Sequence, residues 1–548
     1  MIPVDPLADL NDVVAYFCME FGLDERLPTY AGGLGVLAGD VLKSAHDQGK
    51  AMVGIGIFWS EGYTHQVLDE HGRPIDAWLP TPRQALRPTG VEVTVRIRGK
   101  EVRVTAYRVD IHGNAPLLLL EPIDEWDRWI TRRLYGGSGD DRVAQELLLG
   151  VGGVRVLREL GLDVSLYHFN EGHAVFAGVE LLRLKMLGGA SYDEALPSVR
   201  AQVVFTTHTP VQAGNECHPL DRLEEQGVTG GPIDREVLHR IGGEPFEMTP
   251  AALRLSGRAN AVAQLHGRTA RTMWAHVDGA APITAITNGV HMGTWQDPTI
   301  AAAAQGDDAA LWDAHQALKQ RLLDEIYVRN GAKVKPDVLL VGFARRATAY
   351  KRATLVLRDV EWLAPLLESG RMALVFSGKA HPADQSGHAM VQEIATFARR
   401  RPGAIVWMDD YDMALGRLLT RGCDVWLNTP RRPLEASGTS GMKAAANGAL
   451  NVSVLDGWWD EACEHGVNGW QFGDRREARH EGDDMKDLGA LEHVLSYEVL
   501  PTYEKDRPRW IRMMRAAISM AVKDFSGERM LLDYETHLYS PLRQPKAG

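Results

Sequence analysis

Between Glu435 and Asn447 the chain reads EASGTSGMKAAAN, a glycine-, serine- and threonine-rich turn leading to a lysine. An apolar run, Cys423 to Leu427, precedes it as a buried strand, and Met442 to Ala446 can open a helix. Glycines let backbone N–H groups approach an anion closely, and a helix N-terminus adds partial positive charge. Lys443, one turn into that helix, would face the same cavity, where burial lowers an amine's pKa toward what attack on an aldehyde requires. An ordinary loop-to-helix junction with a solvated lysine has the same spacing. A second concentration of chemistry is Arg345-Arg346-Ala347-Thr348-Ala349-Tyr350-Lys351-Arg352, four cations in eight residues. Arginine offers a bidentate fork to phosphate and lysine a compact charge, although a solvated basic patch would look alike. The cluster follows a buried strand, and carboxyl ends of strands are where α/β folds bind ligands.

Three further stretches have the same layout. Ala31-Gly32-Gly33-Leu34-Gly35 lies between a strand (Val13 to Phe21) and an amphipathic helix expected near Val41 to Gln48, as a backbone anion or sugar cradle requires; a glycine turn made for packing is equally compatible. Glu171 and His173 stand where the strand Leu166 to Asn170 meets a helix running to Leu187. His208 ends the strand in VVFTTHTP, and Asn288 lies in the strand and turn AITNGVH.

The string EASGTSGMKxxxNG, followed by Leu455-Asp456-Gly457, resembles the pyridoxal-phosphate (PLP) segment of the glycogen and α-glucan phosphorylases. The resemblance implies that Lys443 carries PLP as a Schiff base and that Gly438, Thr439 and Ser440 offer N–H groups to the anions beside it. By the same resemblance Glu435 and Ser437 bind hydroxyls of the transferred glucose. Gly33 and Leu34 match the segment facing the glucosyl-phosphate site. His173, with Glu171 beside it, matches the lining near the acceptor glucan. His208 matches the histidine that contacts the reacting glucose, and Asn288 an asparagine that binds a sugar hydroxyl. Arg346 and Lys351 align with the family's phosphate-binding pair, although the usual I-H-E between them is Ala347-Thr348-Ala349 here. Gly441 and Asp412 also depart from the animal pattern.

The elements that must hold these residues fall into two halves. Val91 to Asp110 alternates apolar and polar residues around Gly99-Lys100, a hairpin signal. Asp140 to Leu160 reads as a helix interrupted by glycines, Val211 to Pro250 as an irregular connection with short helices, and Leu253 to Trp274 as helical. From Asp337 the pattern becomes strand–helix alternation, with strands expected at Val338 to Phe343, Ala373 to Ser377, Ala404 to Met408, Val425 to Asn428 and Leu450 to Val454. That is a doubly wound parallel sheet. Leu488 to Tyr539 reads as mostly helical with a break at Pro501. The expected fold class is α/β: two Rossmann-like lobes with an active-site cleft between them, the GT-B glycosyltransferase architecture. Residues 1–290 would form the lobe contacting glucan and glucose, and residues 291–548 the lobe binding PLP and phosphate, its helical tail packing back toward the first.

Composition limits the alternatives. A chain of 548 residues is too long for one ordinary core. Its 45% apolar and 24% charged residues suit a globular protein, and a formal charge of −12 argues against a nucleic-acid partner. Four cysteines without C-x-x-C spacing imply reduced thiols and a cytoplasmic setting. The N-terminal MIPVDPLADLNDVV lacks the basic and apolar regions of a leader, and no apolar run reaches membrane-spanning length. His46, His65, His71 and the cysteines show no metal-ligand spacing, so no metal site is expected.

The reaction implied by the resemblance is reversible phosphorolysis of an α-1,4-glucan or maltooligosaccharide at its non-reducing end. Inorganic phosphate is consumed, and glucose 1-phosphate is released with retention. The chain is similar to the compact bacterial and archaeal members, so a phosphorylation switch of the animal type is not expected; a homodimer is expected by analogy. A nucleotide-sugar glucosyltransferase of the glycogen synthase type would share the fold but have no use for a lysine at position 443. An aminotransferase or decarboxylase would use PLP as an electron sink. A glycan-binding protein without activity would not need Lys443, Arg346, Lys351, His208 and Glu435 together.

Overall fold

The computed structural model describes residues 11–211, 214–477 and 480–543 of the chain. The MIPVDPLADL stretch, read above for a leader, and residues 212–213 of the irregular connection lie outside them. The chain divides into two compact units. The first comprises the chain up to Tyr63, Trp78–Thr287 and the stretch from Met530 onward; the second comprises Thr64–Ala77 and Asn288–Arg529.

The first unit is built on a nine-stranded sheet. Its first strand, Val13–Phe17, sits in the interior of the sheet, parallel to Met52–Ile57 on one side and Val164–Asn170 on the other. Leu117–Pro122 continues the first side, and Val203–Thr207, Arg258–Ala261 and Ile283–Ala285 continue the second, all parallel. A strand in that place is buried on both faces, which explains its unbroken apolar run. Val13, Ala15 and Phe17 enter one core, while Val14 and Tyr16 enter another together with Met530, Leu531, Tyr534 and Leu538 from the end of the chain. The hairpin Arg87–Ile97 and Lys100–Val109 is appended antiparallel at the edge; Arg98 (φ 53°) and Gly99 (φ 74°) both take the left-handed conformation a two-residue turn demands.

The second unit is built on a six-stranded sheet whose neighbours are all parallel. Its order is Ile405–Met408, Met372–Ser377, Leu339–Ala344, Val425–Asn428, Leu450–Val454 and Gly469–Phe472. Counted along the chain this is 3-2-1-4-5-6, the order of a Rossmann sheet. Winding reverses between Leu339–Ala344 and Val425–Asn428, and in the first unit between Val13–Phe17 and Val164–Asn170. Beyond the carboxyl ends of such strand pairs the helices diverge to opposite faces and leave room for a ligand.

Three elements differ from the sequence reading. The helix expected near Val41 to Gln48 begins at Gly33 and runs to Asp47, so the glycine stretch is its first turn rather than a loop before it. Gly35 and Gly39 are there for close approach: a Cβ on Gly35 would lie 2.7 Å from the Glu20 carboxylate, and one on Gly39 would collide with the Gly22 carbonyl. The stretch Leu253 to Trp274 is two helices, Met248–Leu255 and Gln264–Met273, separated by the strand Arg258–Ala261. Alanine favours helix, but ladder bonds to Val203–Thr207 and Ile283–Ala285 override that preference. The tail does not break at Pro501, which occupies the first turn of Leu500–Lys505; the interruption falls at Asp506 (φ −132°, ψ 66°). The strands Met52–Ile57, Leu117–Pro122 and Gly469–Phe472 are additional to those read from sequence.

One buried charge network fastens the long helix Asp308–Asn330 to the second sheet. Asp424, fully buried at the start of Val425–Asn428, accepts from Lys319 Nζ (2.6 Å), from Leu340 N (2.8 Å) and pairs with His315 Nε2 (3.0 Å). Lys319 is completed by the Val338 carbonyl (2.6 Å) and the Tyr503 hydroxyl (3.0 Å). Removing one partner strands the other charge in a dry site, which costs about 3–5 kcal/mol. Asp424→Ala is therefore expected to lower unfolding stability by roughly that amount in urea titrations; a loss of under about 1 kcal/mol would show that Lys319 finds water and that the network is not what holds the helix.

Candidate active site

The cations Arg345 to Arg352 leave the carboxyl end of Leu339–Ala344, and Thr429 to Ser440 leave that of Val425–Asn428, so both stretches meet at the second unit's switch point. Arg352, in the left-handed conformation (φ 47°), ties them together. Its guanidinium donates to the Thr429 carbonyl (2.7 Å), the Pro430 carbonyl (2.8 Å) and Asp484 (2.8 Å), and pairs with Asp487 (2.8 Å). Thr429 Oγ1 donates in turn to the Lys351 carbonyl (2.7 Å). With its donors so engaged, Arg352 is a strut.

Glu435 is the centre of this site. Its carboxylate accepts from Arg345 Nη2 (2.6 Å) and from Lys351 Nζ (3.0 and 3.2 Å), and its backbone N–H donates to Asp456 (2.9 Å). Burial by itself would raise the Glu435 pKa, but the charges of Arg345 and Lys351 outweigh it and hold the group down at about 2. Burial and repulsion from Arg345 push Lys351 down to about 7, against the pull of Glu435. One carboxylate thus serves two buried cations, and the site keeps an excess of positive charge. Arg345 Nε and Nη1 are buried without a hydrogen-bond partner, as are Thr348 Oγ1 and Ser437 Oγ. Buried donors on a guanidinium are costly unless an anion completes them.

The turn beyond Glu435 is shaped by two glycines. Gly438 takes φ 79°, and Gly457 (φ 54°) packs its α-carbon where any Cβ would collide with the Ser437 carbonyl, which accepts from Trp458 N (2.9 Å). The helix Ser440–Ala445 follows, with Lys443 in its interior. Lys443 is 7% exposed, and its Nζ lies 3.8 Å from the centroid of the Trp295 ring. Asn447 clasps the same turn, donating to the Lys443 carbonyl (2.8 Å) and the Trp295 carbonyl (3.0 Å). A buried primary amine on the helix that follows a glycine-rich turn, in the unit that also holds the unsatisfied Arg345 donors, is a donor set that fits a phosphorylated aldehyde. Asn288, also in this unit, is 4% exposed and has a buried side-chain oxygen without a partner, while its carbonyl accepts from Arg529 (3.0 Å).

In the first unit the switch point carries the other group of residues. Glu171 ends the strand Val164–Asn170 with a strained φ of 76°. Its carboxylate accepts from His208 N (2.7 Å), Thr209 Oγ1 (3.2 Å) and Gly172 N (3.2 Å), which ties this strand end to that of Val203–Thr207. Burial pushes Glu171 up to about 7 despite those bonds. His208 Nε2 lies 2.5 Å from Asn170 Oδ1, and burial, reinforced by His266, lowers the ring to about 3, so it is neutral. Burial and the charge of Arg142 lower His173 likewise to about 3. On the other side of the switch, the uncapped end of the helix Gly33–Asp47 leaves Gly33 exposed and Leu34 half-buried. Glu20 fixes that end by accepting from Ala31 N (2.6 Å), Gly32 N (3.1 Å) and Tyr135 Oη (2.7 Å).

Residues scattered over the sequence therefore collect at two places: Lys351, Glu435, Ser437 and the Gly438–Lys443 turn in one unit, and Gly33, Leu34, Glu171, His173 and His208 in the other. Arg346 is exposed, close enough to repel Lys351, while its neighbour Arg345 turns inward. Arg345 and Asn170 were not singled out from sequence. Two adjacent arginines gave no sign of which faces in, and Asn170 was read only as a strand end.

The carbohydrate phosphorylase family matches residues 301–477 of the chain. The maltodextrin phosphorylase of Thermococcus litoralis is 37% identical over 97% of this chain and 71% of its own length. The glycogen phosphorylase of Mycobacterium tuberculosis is 39% identical with the same coverage. A glycogen synthase of Nitrosospira multiformis is 27% identical over only 48% of each chain. The chain belongs to the carbohydrate phosphorylase family, and its two Rossmann-like units are those of a GT-B glycosyltransferase.

If Glu435 is the counter-charge that keeps Lys351 and Arg345 in a buried site, Glu435→Gln must destabilise the protein in a pH-dependent way. Below pH 7 Lys351 carries its proton in the native state, and the loss should reach about 3–5 kcal/mol. As pH rises through about 7 the native amine becomes neutral and its share of the loss disappears, leaving that of Arg345. Unfolding at pH 6 and pH 9 should thus show a larger deficit at pH 6. Equal deficits would mean that Lys351 does not depend on Glu435.

Proposed function

We propose that this chain is a PLP-dependent α-1,4-glucan phosphorylase that reversibly transfers the non-reducing terminal glucose of a glucan or maltooligosaccharide to inorganic phosphate, giving glucose 1-phosphate with retention. The observation that carries this reading is the pair of unsatisfied buried N–H groups on Arg345, beside Lys351, at the same switch point as the buried amine of Lys443. In this reading Lys443 holds PLP, with Gly438, Thr439 and Ser440 supplying N–H groups. Bound PLP would contribute a phosphate group next to the substrate phosphate, able to share its proton.

The rest of the chemistry belongs to the chain. Arg345 and Lys351, with Arg346 at the rim, bind the oxygens of inorganic phosphate and stabilise charge as the glycosidic bond breaks. Phosphate competes for the cations that Glu435 holds, so the carboxylate can turn to hydroxyls of the transferred glucose, together with Ser437 and Asn288. In the first unit, the start of the Gly33–Asp47 helix offers backbone N–H groups at Gly33 and Leu34. His208, neutral and with Nε2 donating to Asn170, keeps Nδ1 as an acceptor for a sugar hydroxyl. His173 lines the glucan path, and Glu171, fastened to the His208 backbone, keeps the two strand ends in register. Exclusion of water favours phosphorolysis over hydrolysis. No helix among the described residues is long and apolar enough to cross a membrane, and a cytoplasmic homodimer is the setting we assign.

Incubation with a maltooligosaccharide and phosphate should yield glucose 1-phosphate, and Lys443→Ala should yield none. Borohydride reduction followed by peptide mass analysis should place the cofactor on Lys443; cofactor on another lysine would overturn the assignment. Arg345→Met should lower kcat/KM for phosphate about 10- to 100-fold, the loss of one charge-assisted hydrogen bond of 1.5–3 kcal/mol. An unchanged value would move the phosphate site to Arg346.

A further inference from the structure

A cluster apart from these residues lies in the first unit. Glu146, on the helix Gly139–Leu147, has a side chain that is 0% exposed, and among the described residues its carboxylate meets no cationic or N–H donor within hydrogen-bond distance, only the neighbouring Glu216 carboxyl. Glu216 and His218 flank Cys217 on an extended segment, where alternation turns 216 and 218 to one side and leaves Cys217 exposed. That segment is fixed from behind: Cys217–His218 pairs with Phe246–Glu247, and Met248 N donates to the Glu216 carbonyl (3.0 Å). His218 Nε2 stands 3.6 Å from Glu146 Oε2 and 3.6 Å from Glu216 Oε1, with no hydrogen-bond partner of its own.

Separations of 3.6 Å are too long for hydrogen bonds. Two ligands held about 2.0–2.2 Å from one zinc ion at the tetrahedral angle stand roughly 3.4 Å apart, so the spacing matches donors that share an ion. One imidazole and two carboxylates suit zinc or a similar divalent transition ion, whereas calcium and magnesium favour more, all-oxygen ligands. Arg142, one helical turn before Glu146, stands 3.5 Å from Glu216. One buried and one half-buried carboxylate thus stand beside this arginine.

We propose that Glu146, Glu216 and His218 bind one divalent transition-metal ion of the zinc type, with a fourth position open to water. The ion pins the connection after Val203–Thr207 to the Gly139–Leu147 helix. From there the packing leads to the glycine cradle: Arg142 lies over the Tyr135 ring (4.7 Å), and Tyr135 donates to the Glu20 carboxylate that holds Ala31 and Gly32. The role is structural, and it stands whether or not the phosphorylase reading does.

The full chain, stripped with a chelator, dialysed against zinc chloride and freed of excess, should retain about one zinc per chain by mass spectrometry. Its thermal midpoint should rise by several degrees. His218→Ala and Glu146→Gln should lose both the metal and the rise while keeping the wild-type circular dichroism. Substantially less than one zinc in the wild type, or variants that retain it, would overturn the site. Should the variants not fold, the cobalt spectrum of the wild type decides: visible bands without a thiolate charge-transfer band support the oxygen–nitrogen set, and a thiolate band would transfer the ion to a cysteine.

Discussion

Two cations share one carboxylate at the heart of the second unit, and much of the architecture around them follows from that imbalance. Arg345 and Lys351 are both drawn to Glu435, yet one negative charge cannot neutralise two positive ones in a dry site. Lys351 therefore holds its proton weakly, and Arg345 keeps two donors unsatisfied. Such an imbalance is unfavourable by itself. The surrounding contacts keep the site from collapsing: Arg352 ties the cation loop to Thr429, Pro430 and Asp484, and Asp456 holds the Glu435 backbone.

The first unit solves a different problem. Its switch point gathers polar groups with fixed direction and little net charge. His168, His173 and His208 are all held neutral chiefly by burial. His168 bridges the Tyr539 hydroxyl and Thr206 Oγ1, at 2.7 Å each, which fastens the end of the chain under the strand that leads to His208. Glu171 is strained at φ 76° and bound to the His208 backbone, as expected of a residue that sets geometry.

The motifs were legible because each joins a strand end to a particular turn chemistry. Lys443, Glu435, Ser437 and Gly438 stand in one contiguous string, and Lys351 in another. Arg345 was not legible as the inward-facing cation, since nothing local separates it from Arg346. The Gly33–Asp47 helix was read as beginning later because a glycine-rich stretch has poor helix propensity; contact with Glu20, Tyr30 and Gly22 makes those glycines the fitting residues for a closely packed first turn. The strand Arg258–Ala261 was hidden for the converse reason: alanines that favour helix were recruited by neighbouring strands. Glu146 and His218 are 72 residues apart and carry no spacing signal.

By itself the sequence determined the class of fold and the family. Strand-length apolar runs alternate with helices, and amine, cations and glycines occur in family strings, and both are local properties. Only the tertiary structure decided which strands are central, where the winding reverses and hence which loops meet. It also decided that Arg345 turns inward, that Arg352 is a strut and that Lys351 is depressed toward neutrality. Those outcomes depend on burial and on charges brought together from distant parts of the chain, and a linear pattern encodes neither desolvation nor distance.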